Sequence, residues 1–141
     1  MQMNDSVLAK LLPDLRSPLQ DFAAMIDEEV GPRLVGLTLF GGALDAAHLS
    51  SHEAARTVLV LDKVDLDVLR RVSMGGARWG RKHIAAPLVM TPQFIEASRD
   101  SFPLELIEIV QRRTTLLGRD CFDGLSFEPE DVRLQCEREL K

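Results

Sequence analysis

Chemistry, if this chain performs any, begins at Gly41-Gly42, which closes the apolar run Val35-Gly36-Leu37-Thr38-Leu39-Phe40. A strand ending in two glycines lets backbone N–H groups come close to an anion, because glycine has no Cβ and accepts positive φ. The same spelling also serves a strand followed by a plain tight turn. A second apolar run, Thr57-Val58-Leu59-Val60-Leu61-Asp62, lacks the paired carboxylates that phosphate chemistry would want beside such a turn. The nearest acids are Asp45, Glu53 and Asp62, and Arg56 directly precedes the second run. Asp45 and Asp62 read as turn and strand-end residues. Asp65-Leu66-Asp67 spells an acid pair but falls where a helix starts, where residues two apart diverge and acids complement the dipole.

Other constellations carry less. His48 and His52 have the spacing of a helical metal pair, yet Ser50-Ser51 between them reads as loop and no third ligand accompanies them. Arg78, Arg81, Lys82 and His83 surround Trp79, a grouping that either stacks and pairs with a nucleotide or forms a solvated loop around a half-buried tryptophan. Neither a Gly-x-Ser-x-Gly elbow nor a Walker-type Gly-Lys-Ser/Thr is present.

The elements that must position these residues fit a single compact domain of 141 residues, 45% of them apolar. Aromatic residues make up only 5%, without tyrosine, so the core rests on Leu, Val, Ile and Met. A net charge of −5 argues against a surface that grips nucleic acid. Cys121 and Cys136 have no metal-site spacing and are expected as free thiols in a reducing compartment. Residues 1–9 lack the basic start and apolar run of a signal peptide, and no stretch of about eighteen apolar residues occurs. A soluble cytoplasmic protein with no membrane contact is expected.

Helices and strands alternate. Ser17-Pro18-Leu19-Gln20 has the form of a capping box, with Ser17 as N-cap and Pro18 at the first helical position. Leu19, Phe22, Ala23, Ile26 and Val30 then recur at helical spacing until Gly31-Pro32. Strands follow at 34–40 and 57–61, both nearly continuous apolar runs of the kind covered on two faces. Asp65 starts a helix that Gly75-Gly76 breaks, 87–90 is a third strand, and Thr91-Pro92 caps and opens a helix through Ala97. Glu105, Glu108 and Arg112 favour a helix starting at Pro103, and 114–118 a fourth strand. An acidic-headed helix runs from Glu128-Pro129 to Lys141, with Val132, Cys136 and Leu140 on one face.

Taken in order, Leu37-Thr38-Leu39-Phe40-Gly41-Gly42, the strand end Leu61-Asp62, Pro87-Leu88-Val89-Met90-Thr91-Pro92, Phe102-Pro103, Leu116-Leu117-Gly118-Arg119-Asp120 and Leu134-Gln135-Cys136-Glu137-Arg138-Glu139-Leu140 resemble the bacterial minimal nucleotidyltransferase-like domain of the polymerase beta superfamily. The resemblance covers residues 20 to 141 or so. It implies an α+β fold, a small mixed sheet of about four to five strands flanked by helices. Residues 1–16 are a helical lead-in and 17–141 one domain, expected either as the N-terminal part of a longer protein or as a chain whose last helix packs on another copy or on a helical partner. In active members the resemblance implies transfer of a nucleoside monophosphate from a triphosphate by two Mg2+ ions held on carboxylates.

In that family the glycine pair is followed, after roughly nine to thirteen residues, by two acids two apart, which on a strand face one side. Here Glu53 is the only carboxylate in the window, and its partner position holds Ala55. A shifted register puts Ala54 and Arg56 at the two places instead. The third acid is missing from 87–90 and from 114–117. Arg56 also opposes a cation, since a unit and a divalent charge about 4 Å apart repel by about 8 kcal/mol at an effective dielectric near 20. A domain that keeps the fold, has lost the transfer chemistry and acts as a binding or regulatory module is expected, with Gly41, Gly42 and Arg56 as nucleotide-binding candidates and no catalytic residue, metal or cofactor. The runner-up is an active, antitoxin-like transferase that uses Mg2+ and a nucleoside triphosphate on Glu53, Asp62 and Asp45. A structural interaction module without nucleotide binding is the third reading.

Overall fold

The computed structural model of the chain describes residues 13–41, 54–74, 76–98 and 104–125. Helix α1 (Pro13–Val30) leads through a short 3-10 turn (Gly31–Arg33) into β1 (Leu34–Phe40). Then follow β2 (Arg56–Leu61), α2 (Leu66–Ser73), α3 (Gly76–Arg81), β3 (Leu88–Met90), α4 (Pro92–Ala97), α5 (Leu104–Gln111) and β4 (Arg113–Gly118). The strands form one open mixed sheet in the order β3-β2-β1-β4. β1 is antiparallel to both β2 and β4, whereas β3 runs parallel to β2 and is reached by the crossover that α2 and α3 supply. This is the α+β architecture expected, with four strands among the described residues.

The apolar strands are covered on both faces, as their continuous runs require. On one face Leu37, Leu39, Leu59 and Leu61 pack against Leu19, Phe22 and Ile26 of α1, with Val68, Val72 and Trp79 beside them. On the other, Phe40, Val58 and Val60 meet Met90, Ile95, Leu106, Ile109 and Phe122. The side-chain alternation of a strand thus divides one apolar sequence between two cores.

The capping box at Ser17 is overturned. Helix α1 starts at Pro13 and carries Pro18 inside it. Proline removes one N–H from the helix ladder, and Leu15, partly buried against the α1 core, ties the extra turn to the sheet. The caps expected further along hold: Asp65 accepts from the Val68 N–H at 2.9 Å and Thr91 from the Phe94 N–H at 3.1 Å. Helix α5 and strand β4 lie where the polar spacing placed them.

Backbones approach closely where β1 meets β4. A Cβ on Gly36 would stand 2.4 Å from the Arg119 carbonyl oxygen, and one on its partner Gly118 2.3 Å from that of Val35. Among the described residues no helix is long and apolar enough to cross a membrane. Gly42, Asp45, His48, His52, Glu53, Cys136 and the C-terminal helix expected from Glu128 lie outside the described residues.

Candidate functional site

β1 ends on the buried ring of Phe40, and Gly41 follows at φ +82°, a conformation that L side chains rarely adopt. The Gly41 N–H donates to the Arg112 carbonyl at 3.1 Å, so this amide is engaged inside the protein and does not point at open solvent. The polar group that reaches this corner is a side chain. Arg56, the first residue of β2, pairs across the ladder with Phe40. Its guanidinium carbon sits 4.8 Å from the Phe40 ring centroid, and its Nη2 would touch a Cβ on residue 41 at 2.8 Å.

Arg56 Nη2 also donates to Glu108 Oε2 of α5. The two side chains remain 43% and 44% exposed, so the pair belongs to the class of ion pairs worth about 0.2–1 kcal/mol, and a solute can compete for either partner. On the opposite flank of Phe40, in β4, stands Arg113. Its guanidinium is locked: Nε donates to both Asp120 carboxylate oxygens at 3.0 Å and Nη1 to the Val110 carbonyl at 2.7 Å. Two guanidiniums therefore flank one buried aromatic ring, one fixed and one open. Glu108 and Arg113 escape a reading by spacing, because the contact to Arg56 spans 52 residues and only the β1–β4 pairing brings Arg113 to the corner.

Of the candidates chosen from sequence, the fold brings together Gly41 and Arg56. Asp62 lies apart, exposed at the far end of β2, with its N–H donating to the Arg33 carbonyl at 3.0 Å. It lies six positions along the chain from Arg56, roughly 20 Å at the usual strand rise. Asp65 caps α2 and accepts from Arg33 Nη1 at 2.6 Å; the Val68 amide first, and then Arg33, hold its carboxyl below the usual carboxylate range. Asp67 pairs with Arg71 one turn on, at 3.2 Å. The Asp65-x-Asp67 spelling is thus a helix start, as its position implies.

The basic group around Trp79 is also settled. Residues 76–81 form a helix, not a loop, and Trp79 is only 6% exposed, edge-on to Phe22 at 5.3 Å. Arg78 and Lys82 lie within 5.1 Å of its ring. The indole is a core side chain with cations against it, and no open face is left for a base to stack on.

Among the described residues no group of three His, Cys, Asp or Glu side chains is placed to hold a metal ion. Among the described residues, the donor set at the Gly41 corner is a guanidinium, an aromatic ring and one carboxylate already neutralised by that guanidinium. Such a set suits an anion and does not fit a divalent cation, which needs several hard oxygens.

Comparison with known proteins finds no matching family model and no matching curated protein. Among solved structures the chain is similar to one in a toxin–antitoxin complex with AMP-PNP, at 14% identity over 92% of this chain and 94% of that one, with a TM-score of 0.47. It is similar also to a chain of the tri-AMPylated Shewanella oneidensis HEPN toxin in complex with MNT antitoxin, at 15% identity, 89% and 92% coverage and a TM-score of 0.47. A chain of the toxin–antitoxin MntA-HepT gives 14% identity, 85% and 90% coverage and 0.43. None of the three reaches a TM-score of 0.5, and the likeness assigns no role to any residue here.

Proposed function

We propose that this chain is a nucleotidyltransferase-like domain that has lost metal-dependent nucleotidyl transfer and serves as a regulatory module, binding a nucleotide or a protein at the Arg56 corner of its sheet. The observation that carries this reading is the guanidinium of Arg56, held over Phe40 beside Gly41 and open to solvent. A planar fork of donors matches the oxygens of phosphate or carboxylate, and its charge repels the cations that transfer would need. Glu108 occupies part of that fork, so an incoming phosphate shares the guanidinium with it or displaces it.

The runner-up is an active, antitoxin-like transferase. It is favoured by the position of Asp45 and Glu53 in the sequence between β1 and β2, the connection that leads into Arg56. Calorimetry with ATP, with and without Mg2+, run beside incubation with labelled ATP, separates the readings. Heat that does not depend on Mg2+, disappears in Arg56→Ala and comes without label transfer is the expected result. Label transfer that is lost in Glu53→Gln selects the runner-up. Absence of heat in every condition leaves a structural interaction module.

A further inference from the structure

The large apolar side chains that stand exposed among the described residues belong to β3, the outermost strand, and to α2 and α4, which precede and follow it in the chain. Leu66, 79% exposed, Leu69 and Met74 belong to α2 and its C-cap, Leu88 to β3 itself, and Phe94, 46% exposed, to α4. β3 ends the strand order, so on its outer side it has no strand neighbour among the described residues. Edges of this kind are normally blunted by charge or proline. Leu88-Val89-Met90 carries neither within its three residues, and Pro87 directly precedes it.

The exposure lies on both faces of that edge. Val89 packs toward the α1 core and Met90 toward the α4 core, so Leu88 shares the α4 face with Met90. On the α1 face, Leu66, Leu69, Val72, Pro87 and Val89 line a groove of about 510 Å3, with Arg70 among its walls. The exposed side chains together present on the order of 500 Å2, divided between the two faces of the edge. Two such edges joined, with the helices of both faces meeting across the seam, remove at most about 1,000 Å2 from side chains, the lower limit of a specific interface.

We propose that the occupant is a second copy of this chain, its β3 paired antiparallel to the first about a two-fold axis at Val89. A two-fold applied to a strand edge produces antiparallel pairing, so the surface is self-complementary without any change of fold. In that register Leu88 of each copy lies beside Met90 of the other, and the two sheets become one of eight strands. The α2 helices then run antiparallel across the seam. Their Leu66 and Leu69 side chains, which line the groove beside Val89, meet across the seam, while Asp67 keeps its own Arg71 as partner. The pairing uses the outer edge of β3, whereas Arg56, at the start of β2, meets Phe40 of β1, the strand on the other side of β2 from β3.

Sedimentation velocity on the full chain, from about 1 to about 100 µM, tests this, since an interface of this size is expected to hold with micromolar affinity or better. The expected result is a monomer–dimer equilibrium whose dissociation constant rises at least about tenfold in Leu66→Asp and in Leu88→Lys, two exposed positions whose circular dichroism should match the parent. Slower hydrogen exchange at the Leu88, Val89 and Met90 amides as concentration rises is expected alongside. A monomer throughout the range overturns the proposal. A dimer that both substitutions leave unchanged overturns it equally, by placing the contact elsewhere.

Discussion

Glu108→Gln isolates the ion pair that, among the described residues, competes with a ligand for Arg56. The wild-type carboxylate holds the guanidinium in an ion pair whose members are 43% and 44% exposed, worth about 0.2–1 kcal/mol. Glutamine keeps the size of the side chain and a weaker acceptor, but it removes the charge. A triphosphate arriving at Arg56 no longer has to displace that pair, and it no longer meets a negative group about 6 Å away. At a water-like dielectric each phosphate charge gains about 0.7 kcal/mol from that removal, so affinity for ATP is expected to rise roughly five- to thirtyfold in low salt. The gain should shrink as salt is raised, because the groups involved are exposed. Calorimetry of the parent, Glu108→Gln and Arg56→Ala with ATP in the absence of Mg2+ measures it, with circular dichroism to establish that each folds. If Glu108→Gln binds ATP no more tightly than the parent while Arg56→Ala binds equally well, the guanidinium is not the receptor and the assignment of the corner fails.

Other expectations concern stability. Gly36→Ala should cost upwards of about 3 kcal/mol in thermal or urea unfolding, because its Cβ would stand 2.4 Å from a backbone oxygen that cannot swing away, and a loss below about 1 kcal/mol would mean that the β1–β4 crossing is looser than described. Thr57→Val should stabilise by roughly 1 kcal/mol, since the buried Thr57 hydroxyl has no hydrogen-bond partner among the described residues and a methyl fits the same space. Phe22→Ala should lose about 3–5 kcal/mol and expose Trp79 to quenchers, as it removes the ring that the indole packs against. The Asp65 carboxyl is held below its ordinary value, so its contribution is present above the usual carboxylate range and lost as pH falls through the lowered value. Asp65→Asn, which still accepts at the α2 cap, should flatten that part of the acid unfolding curve, and an unchanged curve would remove Asp65 from the account.

The sheet was readable because its signals are local. Continuous apolar runs gave β1 and β2, the polar spacing of Glu105 and Glu108 gave α5, and Asp65 and Thr91 gave helix starts whose side chains reach their own third residue. The start of α1 was not, because Ser17-Pro18 is a good opening signal and the burial of Leu15, a tertiary contact, decides against it. Nor was Trp79, whose basic neighbours look like a solvated patch until Phe22, 57 positions earlier, fills the space beneath the ring. At the candidate site the strand-end glycine and Arg56 were visible in the sequence. Glu108 was visible only as a helix-face residue, and its meeting with Arg56 depends on how α5 lies over the end of β1.

The ends of the sheet also differ in how their arginines are held, and that difference bears on which guanidinium can respond to a ligand. At the Asp62 end Arg33 donates to Asp65 beneath the α2 cap, a contact that fastens the chain before β1 to the chain after β2. At the Gly41 end, on a chain of net charge −5, Arg56 and Arg113 flank Phe40. Arg113 makes three hydrogen bonds through a bidentate carboxylate and a carbonyl, and exchanging them would leave Asp120 and the Val110 carbonyl in want of a donor. Among the described residues Arg56 has one carboxylate partner, itself half open to water, and a ring face that attracts the cation without using up its donors. A negatively charged ligand at this corner can therefore take Arg56 at small cost while Arg113 keeps the strand end in place. Arg113→Lys should lower stability with little effect on ATP affinity and Arg56→Lys should do the reverse, because a lysine at position 56 keeps the charge but not the planar fork. Equal loss of ATP affinity in both would mean that the two guanidiniums act as one positive patch.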